Sequence, residues 1–215
     1  MPNNSNMVHV KKFTFNPFQE NTYVVSNESK SCFIVDPGCY TTEEEKALKE
    51  YIIQNDLKPE ALINTHCHID HVFGNKFIYD EFELSPVIHE DEKPVLHSVP
   101  QVARLYGLNY SDSPTPRFYE GQSMSLLGME WKIIFAPGHS PGHVILYLEE
   151  DGILLAGDVI FKMSIGRTDL PGGNHQDLIR NIKEKVFTLP EGTRILPGHM
   201  EETTVGFEKA HNPFF

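Results

Sequence analysis

The chain has 215 residues, of which 40% are hydrophobic and 22% charged, which suits one domain spanning 1–215 and leaves no room for a large second one. With 18 Lys and Arg against 30 Asp and Glu, the formal net charge is −12, the opposite of the basic excess that phosphate neutralisation needs, so nucleic acid is not an expected partner. Three scattered cysteines, Cys32, Cys39 and Cys67, argue against a disulfide framework. No run is apolar enough to span a bilayer and residues 1–6 are polar rather than leader-like, so reduced thiols in a cytoplasm are expected, with no membrane partner.

In chain order, Val8–Phe15 and residues 22–26 alternate like strands, with a turn over 16–21. Residues 32–35 form a short apolar strand that stops at Asp36-Pro37-Gly38. A helix is predicted over 43–55, capped by Thr41 or Thr42 with Glu44 or Glu45 closing a capping box. A buried strand over 61–64 precedes a helix over 72–82 and a short strand over 87–89, and 91–107 reads as one or two helices broken near Pro100. Residues 108–121, rich in Ser, Pro and Asn, are expected to be a long surface loop. Strands follow at 131–135, Val144–Leu148 and 152–156, then a helix over 175–187 capped by Asn174, a strand over 194–196 and a closing helix over 203–210. Alternating strands and helices after an antiparallel-looking start predict an α/β or α+β fold, with two mixed sheets and helices outside.

The chemistry concentrates in Thr65-His66-Cys67-His68-Ile69-Asp70-His71, directly after a buried strand. In an H-x-H loop both imidazoles can reach one point, and Asp70 and His71 continue round the turn to a neighbouring one. Imidazole nitrogen suits zinc and iron, and a carboxylate adds a harder oxygen. Three further candidates sit past strand ends, each behind a glycine: His139 in Gly138-His139, Asp158 in Gly157-Asp158 and His199 in Gly198-His199. Loop residues held at the ends of rigid strands are where functional side chains are normally placed.

This order of motifs, His66-x-His68-x-Asp70-His71, then Gly138-His139, Gly157-Asp158 and Gly198-His199, resembles the metallo-β-lactamase superfamily over nearly the whole chain. The resemblance implies a four-layer αββα sandwich with metals at one edge. It also implies a ligand division: His66, His68 and His139 for one ion, Asp70, His71 and His199 for a second, and Asp158 bridging them. The cofactors expected are two divalent ions, zinc first, with iron or manganese as alternatives. The commonest true β-lactamases carry Cys at the position of Asp158, whereas a carboxylate bridge resembles the glyoxalase II-like thioesterases. Gly166-Arg167-Thr168-Asp169 is similar to small single-domain glyoxalase II-like hydrolases and to persulfide dioxygenases, and Leu170-Pro171-Gly172-Gly173 is closer to the hydrolases. Full-length glyoxalase II binds glutathione largely through a C-terminal helical domain. This sequence ends soon after His199, so glutathione specificity is not carried over residue by residue.

The expected reaction is hydrolysis of a small acyl thioester by a hydroxide shared between two ions that lower its pKa. Asp70 would orient that water or take its proton. Asp36 is a candidate acceptor from a metal-binding histidine, and His143 reads as a supporting residue. Arg167 and Asp169 read as an ion pair bracing their loop in preference to a substrate contact. Tyr106, Tyr110, Phe118 and Tyr119 either shape the pocket or pin the long loop. Cys67, between two ligands and without an activating base, is not a nucleophile candidate. The runner-up is a mononuclear-iron persulfide dioxygenase using His66, His139 and Asp158. Hydrolysis of lactones or other small esters, and a non-enzymatic metal scaffold, complete the alternatives.

Overall fold

The computed structural model describes residues 7–215; the polar stretch 1–6 lies outside the described residues. Its first sheet contains β1 (Val8–Phe15), β2 (Glu20–Asn27), β3 (Ser31–Val35), β4 (Lys58–Ile63), β5 (Pro86–Ile88) and β6 (Arg117–Phe118), side by side in that order. The first three strands pair antiparallel and β3 to β6 pair parallel, so the sheet is mixed. The second sheet runs β14 (Thr203–Thr204), β13 (Arg194–Pro197), β10 (Ile153–Gly157), β9 (Val144–Leu148), β8 (Met129–Phe135) and β7 (Ser123–Leu126). Only β10 and β13 are parallel there. The hairpin β11 (Ile160–Phe161) with β12 (Ser164–Ile165) stands apart.

Period-two alternation divides every central strand between two cores. In β9, Val144, Leu146 and Leu148 face the space between the sheets, while Ile145 and Tyr147 face outward. In β3, Phe33 and Val35 join the inter-sheet core, where Phe33 packs edge-on against the buried Trp131 at 5.2 Å, while Cys32 and Ile34 face the helices. The outer face of the first sheet is covered by α1 (Thr42–Gln54) and α3 (Asn75–Phe82) through Leu48, Ile52 and Ile78. That of the second is covered by α5 (His175–Asn181), its π-helical continuation Ile182–Val186 and α6 (Val205–His211). The layering is the expected αββα sandwich, and all three cysteines are free and buried. No helix among the described residues is long and apolar enough to cross a membrane.

The helix caps follow the sequence closely. Thr41 accepts from the Glu44 amide and the Glu44 carboxylate closes the box, while Asn174 accepts from the Asp177 amide. Four expectations are corrected. The helix expected over 72–82 is two: α2 (Ile69–Val72) ends at Phe73-Gly74, where the Gly74 amide donates to the Pro37 carbonyl, and α3 restarts at Asn75. Residues 91–107 are not broken at Pro100. After the 3₁₀ turn Glu90–Glu92, α4 (Lys93–Tyr106) runs through the proline, because Leu96, Val99 and Ala103 bury one face against Ile69, Val72 and Ile88. The loop 108–121 contains the edge strand β6, and β2 starts two residues earlier than expected, at Glu20.

Truncating the inter-sheet core at β9 should be costly, because neither sheet can close on the space. Leu146→Ala, at a fully buried position, should lower unfolding free energy by about 2–5 kcal/mol in urea titration. A change under about 1 kcal/mol would mean that the sheets repack.

Candidate metal centre

All the candidate ligands sit just beyond the C-terminal ends of strands β4, β8, β10 and β13. Because β8, β10 and β13 run the same way, their ends meet at one edge of the second sheet, and β4 delivers the His66–His71 turn from the first. His139 Nε2 lies 3.3 Å from His66 Nε2 and 2.8 Å from His68 Nδ1. On the other side, His199 Nε2 lies 3.1 Å from Asp70 Oδ2, and His71 Nε2 lies 3.7 Å from the same oxygen. Asp158 sits between these triads. Its Oδ2 is 3.4 Å from His139 and 3.5 Å from His199, and its Oδ1 is 3.4 Å from His71.

These spacings fit ions. A tetrahedron with metal–nitrogen bonds of about 2.0–2.1 Å has edges of about 3.3–3.4 Å. His71 Nε2 and Asp158 Oδ1 are buried without a hydrogen-bond partner, a costly state for polar atoms unless something else satisfies them. The triads His66, His68, His139 and Asp70, His71, His199 can each hold one divalent ion, with Asp158 facing both. A third cluster, Asp36 with His66 and His71, is not a third ion site, because Asp36 already accepts three hydrogen bonds. Its Oδ1 accepts from the Thr65 amide at 2.7 Å, and its Oδ2 from the Thr65 hydroxyl at 2.6 Å and from His71 Nδ1 at 3.2 Å.

The outer nitrogens of the histidines aim the inner ones. His71 Nδ1 donates to Asp36, and His66 Nδ1 pairs at 3.1 Å with the Thr65 hydroxyl, which itself donates to Asp36. His139 Nδ1 donates to the Arg167 carbonyl at 2.7 Å and His199 Nδ1 to the Gln19 carbonyl at 3.1 Å. Each such bond fixes a proton on the outer nitrogen, so that the inner one is the nitrogen that binds an ion once it is unprotonated. Asp36 thus orients one histidine directly and a second through Thr65, from a left-handed backbone (φ 48°) that its short polar side chain tolerates.

His143 is not among the inward-facing groups. Its Nε2 accepts from the Asp158 amide at 3.0 Å and its ring stacks on His66, so it positions the Asp158 backbone. Arg167 and Asp169 form a forked ion pair with both contacts at 2.7 Å, exposed and therefore of small energetic weight. Cys67 is buried among Ile69, Val72 and Ile88, and burial pushes its thiol up, as expected for an inert cysteine. Of the four aromatics, Tyr106 lines the cleft above the site. Tyr119 donates to the Asn64 carbonyl and Tyr110 accepts from the Ser113 amide, so these two pin the loop, and Phe118 lies on the exposed strand β6.

Sequence reasoning missed Glu92. Fully buried, it accepts from the Cys67 amide at 2.8 Å through one oxygen, and from the Gly142 amide at 2.7 Å and the Ser140 hydroxyl through the other. It therefore ties the His66–His71 turn to the His139–His143 loop. Nothing in the charged run Glu90-Asp91-Glu92 singles it out.

Gly157 and Gly198 are required by space. A Cβ at Gly157 would strike Thr65 and the His143 ring, and one at Gly198 would strike the Asp158 carboxylate and the His71 ring. Gly157 also has a left-handed backbone (φ 48°).

The protonation states divide the two triads. Burial, reinforced by neighbouring imidazoles, holds His66 well below the ordinary imidazole range and takes His68 down to about 3. Burial lowers His71 and His199 too, but the Asp158 and Asp70 carboxylates outweigh it and raise both.

A model of the metallo-beta-lactamase superfamily matches residues 15–199. The chain is 35% identical over 201 residues to the hydroxyacylglutathione hydrolase GloC of Haemophilus influenzae, covering 92% of this chain and 93% of that protein. Among solved structures, it is similar to the BLEG-1 B3 metallo-beta-lactamase, with a TM-score of 0.87, 34% identity and 96% and 99% of the two chains covered. It is similar also to TTHA1623 in a di-iron-bound form, with a TM-score of 0.86, 35% identity and 96% and 100% covered.

Two outcomes follow for metal binding. Asp36→Ala should weaken retention of metal by about 10–100-fold, read by dialysis against a chelator, and unchanged retention would contradict the assigned hydrogen bonds. A proton must leave His71 and His199 before either nitrogen can bind metal, so affinity at that triad should fall on going from about pH 8 to about pH 6. The low-titrating triad should change little over the same window. Zinc titration at the two pH values checks this, and equal weakening of both equivalents would contradict it.

Proposed function

The chain belongs to the metallo-beta-lactamase superfamily and is a metallo-hydrolase, and on that premise we propose that it is a dinuclear enzyme cleaving small acyl thioesters. The observation that carries the reading is the place of Asp158, one carboxylate facing both triads with a buried, unpartnered oxygen. His66, His68 and His139 would hold one ion, Asp70, His71 and His199 the second, and Asp158 both. The di-iron form of TTHA1623 supports two ions, and GloC supports a thioester substrate. Either zinc or iron suits this ligand set.

When bound, such a pair of ions lowers the pKa of water and polarises a carbonyl. The protein's own groups supply the rest. Burial alone would raise the Asp70 carboxyl, but the His71 and His199 imidazoles hold it below the usual carboxylate range, so it faces the cleft ionised. An ionised Asp70 accepts a hydrogen bond and orients a water; it is a weak base for taking its proton. A thiolate leaves without a proton donor, and among the described residues the carboxyls lining the cleft are Asp70 and Asp158 alone.

The likeness to BLEG-1 makes β-lactam hydrolysis the second reading. Metal-loaded protein should turn over thioesters in a panel beginning with S-lactoylglutathione, and Asp158→Asn should lower kcat/KM by more than about 100-fold, beyond the loss typical of a supporting residue. Turnover of β-lactams without thioesters, or oxygen uptake with glutathione persulfide, would contradict the proposal.

A further inference from the structure

Helix α4 carries two apolar stripes. Leu96, Val99 and Ala103 are buried in the fold, as a single amphipathic face requires. Val95, Val102 and Leu105, at i, i+7 and i+10, form a second stripe, interrupted by Ser98, that lines the cleft leading down to Asp70, Asp158 and the histidines, and Val95 and Val102 also pack in part against the buried face. Phe18, Ile165 and Met200 line the same cleft, Phe18 edge-on against Tyr106 at the end of α4. The cavity has a volume of about 1110 Å³. Its mouth leaves Leu105 78% and Met200 55% exposed, a cost in water that an apolar ligand would offset.

Charge is scarce in the same cleft. Apart from the groups of the metal centre, Arg167 is the one charged residue lining it among the described residues, and its guanidinium is already forked onto Asp169. A thiol part with two carboxylates, as in glutathione, therefore finds little there to pair with.

We infer that the cleft selects an apolar acyl group, so that the preferred substrates are medium-chain acyl thioesters whose alkyl chain lies along the second stripe of α4. This rests on the thioesterase reading. In the reaction the acyl carbon–sulfur bond breaks, the oxygen of water joins the acyl carbon, and the thiol and carboxylic acid leave, with no oxidant or reductant.

The test holds the thiol constant and uncharged. N-acetylcysteamine thioesters from acetyl to octanoyl are given to the metal-loaded full chain, with S-lactoylglutathione alongside. kcat/KM should rise about threefold to fourfold per methylene, which is the transfer free energy of about 0.8 kcal/mol per buried CH₂ expressed as a ratio. Leu105→Asp, at an exposed position, should cut the octanoyl-to-acetyl ratio by at least about tenfold, the direction expected when a charge enters an apolar contact. A flat series, or S-lactoylglutathione preferred over the octanoyl thioester, overturns the inference and leaves the thioesterase reading standing. If no thioester is turned over, that reading fails, and binding decides the inference separately. In that case calorimetry with octyl and ethyl thioethers of the same thiol, on the metal-loaded full chain, should show tighter octyl binding with a negative heat-capacity change. Equal binding of the two thioethers overturns it.

Discussion

The Asp158 carboxylate is buried between two groups of imidazoles, and most of the surrounding structure serves to keep it there. An ionised carboxylate out of water is expensive unless charges and hydrogen bonds replace the lost solvent. Here His71, His139 and His199 all lie within 3.5 Å of it and hold it far below the usual carboxylate range against the pull of burial. The backbone is fixed with the side chain: His143 accepts the Asp158 amide, Gly157 makes the left-handed turn before it, and Gly198 leaves room for the carboxylate. Because one residue faces both triads, ions held in the two candidate sites would be coupled through it.

That arrangement depends on the rigidity of the sheet edge. Four strands end at the site, and the loops that leave them are tied to one another as well as to the sheets. Asp36, past β3, holds Thr65 and His71 past β4. Glu92 ties the β4 turn to the loop after β8. Asn21 and Tyr23 at the start of β2 hold the Pro197 carbonyl beside His199, and Asn21 holds Met200 as well. Each ties residues more than twenty positions apart, so the loops that carry the candidate ligands are held in register with one another. The cleft above differs in kind: its walls are mostly apolar, and its carboxylates and imidazoles are confined to its floor.

Much of this was legible in the sequence. Clustered histidines after an apolar strand, and Gly-His or Gly-Asp pairs at later strand ends, pointed to seven residues that the fold brings to one edge. The capping box at Thr41 and Glu44 and the Asn174 cap were readable because they are local. Asp36 could be singled out by its strand-end position, but its partner could not, since that depends on how β3 and β4 pair. Glu92 left no signal, because its role lies in contacts made across the fold. Pro100 misled for a related reason: the local rule that proline breaks helices yields where a buried face holds the helix together. The short strands β6, β7, β11, β12 and β14 are too brief for periodicity to register, and tertiary pairing alone defines them.

The most direct test of the central claim, that Asp158 joins two ion sites, is metal content per chain on protein purified without added metal, with zinc and iron quantified together. Two ion sites joined by Asp158 should hold close to two ions per chain. Close to one iron per chain, with little zinc and no second equivalent taken up on titration, would contradict it.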